Sequence, residues 1–361
     1  MSEKYSVEIA RGREALNALR PAWLELLERR RGYAFYHHPQ WFGALNDHLL
    51  GDELVVAQLW CDGKLQVLAP LISHGAMLSN PRHEHIVLSD WVIADALPVT
   101  TLLRYLPDML EAAGGGRWTR LALHDFVSAE LVHGGLSAPA DAPAPLLSTL
   151  RTTRTSAWFD CRQDATPVPG KMRRNLRRLR KKCGEVSVTV ADTPETLAGA
   201  YQEFLRIEAS GWKGDKKTAI ARDEDLRRFY EALQVRTAGL GAEIHILHLD
   251  GQAVAAQLTL RSGGLLSLLK IGFDEAYAQV SPGSILLEET LTRAQADPAT
   301  ESVSLVTNPP WAERWHPAVI DVGTCRIYNN TTSGHAKRRV DHLRATAVNL
   351  CRELIKHKAK H

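Results

Sequence analysis

Apolar residues recur at helical spacing over residues 13–31, where Leu16, Leu19, Trp23, Leu26 and Leu27 fall on one face, and a second helix is expected over 37–50, with Pro39 near its first turn. The pattern then changes period. Two β-rich runs, ELVVAQLW and LQVLAPLI, flank Cys61-Asp62-Gly63-Lys64, and Asp-Gly tolerates the positive φ angles of a tight two-residue hairpin. A further helix is expected near 98–113, then the strand RWTRLALHD. Residues 136–147, with three prolines and four alanines, read as a linker or an irregular crossing.

After that stretch the order returns. Helical runs at 193–210 and 222–239 precede AEIHILHL, Asp250-Gly251 and QAVAAQLTL. GLLSLLKIGF adds a strand, SPGSILLEETLTRAQA a helix, and ESVSLVT another strand. Both halves run helix, helix, strand, Asp-Gly turn, strand, which implies an internal duplication of two α/β units. Residues 334–357 place Val340, Leu343, Ala347, Leu350 and Leu354 on one face of an amphipathic helix. The expected organisation is a first unit at 1–145, a second at 146–333 and a basic helix at 334–361.

The 361 residues, 45% hydrophobic and 24% charged, are those of a folded globular chain, which excludes extended disorder and low-complexity scaffolds. No apolar run approaches the roughly 20 residues that span a bilayer, and the charged amino terminus lacks a signal-peptide core. Five scattered cysteines without a CxxC pair argue against a disulfide framework, so a reducing cytoplasm is expected. Net charge is +3, but 171–182 carries eight positive charges and 334–361 a net +6, leaving −11 on the rest. Charge confined to two segments points to an acidic partner rather than bulk nucleic-acid binding.

The chemistry concentrates at 265–296. A strand ending in Lys270-Ile271-Gly272-Phe273-Asp274-Glu275 leads into Ser281-Pro282-Gly283-Ser284 and directly into a helix. Exposed amides of Gly283, Ser284 and Ile285, with the helix dipole, would make an anion site for a phosphate or pyrophosphate. Taken alone, the same turn is an ordinary helix start with Ser281 as its cap.

The order of these elements resembles the GNAT acyltransferase superfamily, in which the turn after the third strand holds the pyrophosphate of coenzyme A. KMRRNLRRLRKK, FLRIEASGWKG, FYEAL, DGQAVAAQLTL, KIGFDEAYAQVSPGSILLEETL and a late tryptophan (Trp311 or Trp315) are similar to the CelD-type acetyltransferases, relatives of the FemABX peptidyltransferases with two GNAT-like halves. The resemblance covers 165–316 well and 13–125 diffusely.

It implies an α/β (α+β) fold of two tandem GNAT-like units, mixed sheets flanked by helices, with the basic C-terminal helix appended. It also implies acyl transfer from a thioester, a coenzyme A thioester or an acyl-carrier protein, to an amine, for instance a cell-envelope sugar or lipid amine. Asp274 and then Glu208 are the candidates for removing the amine's proton, against capping or surface roles. Lys270 would meet donor phosphates or simply face solvent. Trp212 and Lys213, in a Gly-Trp-Lys-Gly loop, would cover a ligand. Asp90 and His124 would form the acceptor side of an interdomain cleft, against structural roles. No metal is expected, because the histidines lack metal-ligand spacing. Two other readings stay open: a Fem-like enzyme using aminoacyl-tRNA, and a non-catalytic subunit of an envelope assembly system. The C-terminal helix either packs on its own chain or lies on an anionic membrane, at the inner membrane face.

Overall fold

The computed structural model describes residues 3–137, 146–162, 168–210 and 220–358, without the side chains of Ala345 and residues 347–358. The first unit runs β1 (Tyr5–Arg11), α1 (Gly12–Glu28), α2 (Pro39–His48), β2 (Leu54–Cys61), β3 (Lys64–His74), β4 (Met77–Ser79), β5 (Val92–Ile93), α3 (Val99–Ala113), β6 (Arg120–Phe126), α4 (Ala129–Ser137) and β7 (Leu147–Asp160). The second runs α5 (Gly170–Arg180), β8 (Val186–Ala191), α6 (Pro194–Ser210), α7 (Glu224–Ala232), β9 (Gly241–Leu249), β10 (Gln252–Ser262), β11 (Leu265–Phe273), α8 (Pro282–Ala296), β12 (Ser302–Ser304) and β13 (Ala318–Tyr328), followed by α9 (Thr332–Lys358).

Both Asp-Gly hairpins form as the pattern requires: Asp62 and Gly63 have φ of 48° and 76°, Asp250 and Gly251 48° and 77°. The strands of both units join one sheet in the order β1-β2-β3-β4-β6-β13-β7-β12-β11-β10-β9-β8, with β5 pairing to β3 at the side. Read inward from either end, this order shows the same progression: β1-β2-β3-β4-β6 matches β8-β9-β10-β11-β12, and in each half the parallel pair (β4 with β6, β11 with β12) lies next to the centre. The final strands are exchanged, because β13 pairs with β6 while β7 pairs with β12 and β13.

Through that exchange the mixed sheets expected of the two units join into one sheet flanked by helices. The larger core also crosses the 145/146 boundary, joining Trp23, Trp41 and Phe42 to Tyr201, Phe204 and Phe229. A smaller core on the other face holds α8 and α5, through Leu286, Leu287, Leu291, Met172 and Leu176.

Other expectations shift at their ends. The helix expected over 222–239 spans only Glu224–Ala232, and the chain turns again at Gly239 (φ 82°), where the Tyr33 hydroxyl donates to the Gly239 carbonyl at 3.0 Å. Of the stretch 136–147, residues 138–145 lie outside the described residues, while its ends belong to α4 and β7. Helix α9 carries Val340 and Leu343 exposed, at 42% and 68%, and is tied back by Asp341, which accepts from Arg120 at 2.8 Å and from Tyr328 at 3.2 Å.

Candidate active site

Strand β11 organises the site by what it fails to pair with. It runs parallel to β12 only over Leu265–Ser267, opposite Ser302–Ser304. Beyond Ser304 the neighbouring chain turns away, with Val306 at φ 63° and Pro309-Pro310 opening a 3-10 turn that carries Trp311. A bulge against β10 puts Leu258 opposite Lys270 and Thr259 opposite Leu268, so Leu269 is extra and the alternation of faces is reset. The divergence opens two cavities that share Leu268, Ile271 and Trp311. Ligands bind in such crevices, beyond the carboxyl ends of parallel strands.

The cavity on the α8 side has a volume of about 490 Å³ and is lined in part by Glu208, Gln257, Gly283, Ser284 and Arg314. At its outer end the helix start differs from expectation. Ser281 is left-handed (φ 55°, ψ 56°) and its hydroxyl makes no cap hydrogen bond, so it is not a side-chain cap. Its carbonyl accepts the Ser284 and Ile285 amides at 3.0 and 3.2 Å. Of the three amides expected to face an anion, only that of Gly283 is not turned back into this helix start, and the Ile285 side chain is fully buried in the core. Positive charge comes from Arg314, whose guanidinium donates to Ser284 Oγ at 3.1 Å. The dipole of α8 and this arginine together still suit an anion.

Glu208, 3% exposed near the end of α6, reaches the same cavity, and its Oε2 accepts the Ile220 amide at 3.1 Å. Gly272 makes room for it: a Cβ at that position would stand 3.1 Å from Glu208 Cα. Asp274 is placed otherwise. It lies outside the lining, and its carboxylate accepts the Ala276 amide at 3.0 Å, capping the 3-10 turn at 275–280.

The second cavity, about 240 Å³, opens on the opposite face of the sheet between the two units and is lined in part by Phe35, Trp41, His85, Tyr230 and Lys270. Lys270 therefore faces away from the anion corner. Its Nζ stands 2.7 Å from His85 Nδ1 and 5.7 Å from the centre of the Tyr230 ring. An ammonium only donates, so this contact assigns the His85 proton to Nε2. Burial pushes the Tyr230 phenol well above its ordinary pKa, which keeps it protonated.

Asp90 and His124 are not brought to either cavity. Asp90 is buried, accepting from Ser128 Oγ at 2.6 Å and from the Trp91 amide at 2.9 Å. His124 lines a separate groove beside Arg82 and Arg120, and burial followed by these arginines lowers it to about 4. Trp212 and Lys213 lie outside the described residues. Among the described residues no cluster of three or more His, Cys, Asp or Glu could hold a metal ion, and no helix is long and apolar enough to cross a membrane.

Sequence reasoning missed His85, Gln257 and Arg314. His85 lies in a stretch without periodicity, and Gln257 in a strand whose apolar run hid a polar side chain that faces a cavity. Tyr230 and Trp311 stood inside quoted motifs, FYEAL and the late tryptophan, without an assigned role.

Residues 170–313 match the family model described as an acetyltransferase (GNAT) domain. No curated protein matches the sequence. Among solved structures the chain is similar in fold to FemX (11% identity, 90% of this chain and 98% of that one, TM-score 0.57). It is similar as well to L-PGS from Bacillus licheniformis (16%, 90% and 95%, 0.55). A third match is the C-terminal domain assigned to a lysylphosphatidylglycerol synthetase of Agrobacterium fabrum (11%, 91% and 97%, 0.55).

Proposed function

We propose that this chain, whose residues 170–313 match an acetyltransferase domain of the GNAT type, is an N-acyltransferase that takes an acyl group from a coenzyme A thioester in the α8-side cavity and gives it to an amine in the opposite cavity. The observation that carries this reading is the seam of Leu268, Ile271 and Trp311, where two cavities on opposite faces of the sheet meet at the divergence of β11 and β12. A thioester carbonyl brought to that seam is open to a nucleophile from the other side. The amine nitrogen attacks the carbonyl carbon, a C–N bond forms, the C–S bond breaks, and coenzyme A leaves as the thiol.

Placement supplies most of the rate in such a reaction. The Gly283 amide and Arg314 hold the pyrophosphate, and apolar Leu268, Ile271 and Trp311 exclude water from the reacting carbonyl. Glu208 accepts the amine's proton, a role its position in the donor cavity supports and that of Asp274 does not. On the acceptor side, Lys270 and His85 orient polar groups of the acceptor next to the aromatic wall of Phe35, Trp41 and Tyr230.

The acceptor in this reading is a cell-envelope sugar or lipid amine. The likeness in fold to FemX and to a lysylphosphatidylglycerol synthetase supports that setting, as does the basic, partly apolar α9. A CelD-type assignment accords with the same order of motifs.

A second reading, with aminoacyl-tRNA as donor, is favoured by α5, which packs on α8 and turns Lys171, Arg173, Arg174, Arg177 and Arg178 to solvent. Thermal-shift and titration series with acetyl-CoA, free coenzyme A and bulk tRNA separate the two. Stabilisation by acetyl-CoA but not tRNA is expected. The converse would replace the donor assignment.

A further inference from the structure

Gln257 sits in the middle of β10, 3% exposed, and lines the donor cavity. Its Oε1 accepts from Thr290 Oγ at 2.8 Å, while its Nε2 makes no hydrogen bond within the described residues. Thr290 lies seven residues beyond Gly283 on α8, about 10 Å along the helix axis. A ligand whose phosphate meets Gly283 therefore presents its arm, not its anion, to Gln257.

Behind Gln257 runs a buried chain of polar groups. His245 Nδ1 stands 3.1 Å from Thr290 Oγ, and His245 Nε2 stands 2.9 Å from Glu243. Glu243 also accepts from Arg261 at 2.6 Å, and Arg261 reaches Asp297 at 2.9 Å. Burial alone would raise the Glu243 carboxyl, but hydrogen bonds from His245 and Arg261 hold it down at about 2. The groove beside this chain adds Asp192, Arg236 and Arg293 to the charges facing His245.

Glu243 is a carboxylate and only accepts, so His245 Nε2 carries hydrogen. Thr290 has one hydroxyl proton, and of its acceptors Gln257 Oε1 is nearer than the Leu286 carbonyl, 2.8 against 3.0 Å. Donated to Gln257 Oε1, that proton holds the oxygen to α8 and leaves the Gln257 NH₂ for the cavity.

The structure assigns Gln257 as the residue that recognises a carbonyl oxygen on the donor's arm, thioester or amide, with the chain Glu243–His245–Thr290 holding it so that it offers a hydrogen. The inference rests on the donor assignment above and adds a specificity-determining residue to it. Thr290 and His245 are positioning residues, acting through Gln257.

Titration calorimetry with acetyl-CoA and free coenzyme A tests it on the full chain. Gln257→Leu, of similar size, weakens acetyl-CoA by about fivefold. Loss for acetyl-CoA alone places the recognised carbonyl in the thioester, and equal loss for coenzyme A places it in an amide of the arm. Thr290→Val keeps Gln257 but frees it to turn, so acetyl-CoA affinity falls while the variant stays folded; a merely structural role would lower the melting temperature and leave the affinity in place. Wild-type affinity for acetyl-CoA with an unchanged, folded Gln257→Leu variant overturns the inference and spares the donor assignment. Wild type that binds neither compound overturns both.

Discussion

Replacing Gly283 by valine separates the fold of the donor cavity from its use. The position is helical with ordinary φ, and a Cβ there would meet only Phe273 Cδ1, at 3.6 Å, an ordinary contact. Valine is also the better helix former by a few tenths of a kcal/mol, so the melting temperature should barely move. Donor binding should suffer, because the side chain stands where a phosphate oxygen approaches the one amide of the helix start not bonded back to Ser281. A hydrogen bond to a charged group contributes about 1.5–3 kcal/mol. Its loss raises the donor Kd roughly tenfold to a hundredfold. Calorimetric titration with acetyl-CoA reads the change, and thermal melting reads the fold. Ser281→Ala is the control: its hydroxyl caps nothing, so the variant should lack the loss of about 1 kcal/mol that removing a side-chain cap brings. A folded Gly283→Val protein with wild-type donor affinity would refute the reasoning and reduce the turn to a helix start.

Glu208→Gln should lower kcat by about two to four orders of magnitude with donor Kd nearly unchanged, while Asp274→Asn, which touches only a capping carboxylate, should keep most turnover; the reverse ranking in steady-state kinetics would exchange their roles. His38 caps α2 with Nδ1 and binds the Ala238 carbonyl with Nε2, so it is locked neutral, and burial lowers it to about 4. A depressed folded value means that stability is intact above the ordinary value near 6.5 and drains as pH falls toward 4. Melting curves against pH should show that loss, and His38→Gln should make it smaller while the share of His124 remains. Helix α9 should carry the chain to anionic vesicles in flotation, and Leu343→Glu, at a residue 68% exposed, should abolish it; equal recovery of both proteins would remove the membrane role.

The hairpins at Asp62-Gly63 and Asp250-Gly251 were legible because two residues dictate the turn, and α1, α3 and α6 because their apolar stripes face one core. The exchange of β7 and β13 was not. LSTLRTTRTSAWFD alternates poorly, since its first part lies half exposed and its end is buried between β12 and β13, so no single period describes it. Glu208, Lys270 and the Gly283 turn could be found from local chemistry. Which cavity Lys270 serves depends on the bulge at Leu269, a register shift that no local pattern records. His85 reaches Lys270 across 185 residues, and only the packing of the two units brings them together. Asp90 and His124 show the converse, polar residues at strand ends whose partners are structural.

A crystal structure of the chain with acetyl-CoA tests the central claim most directly. The account predicts the pyrophosphate within about 3 Å of the Gly283 amide and beside Arg314, with the thioester between Ile271 and Trp311 and its carbonyl carbon open to the cavity of His85 and Lys270. Acetyl-CoA ordered elsewhere, with the Gly283 corner unused and the seam closed by protein, would contradict it.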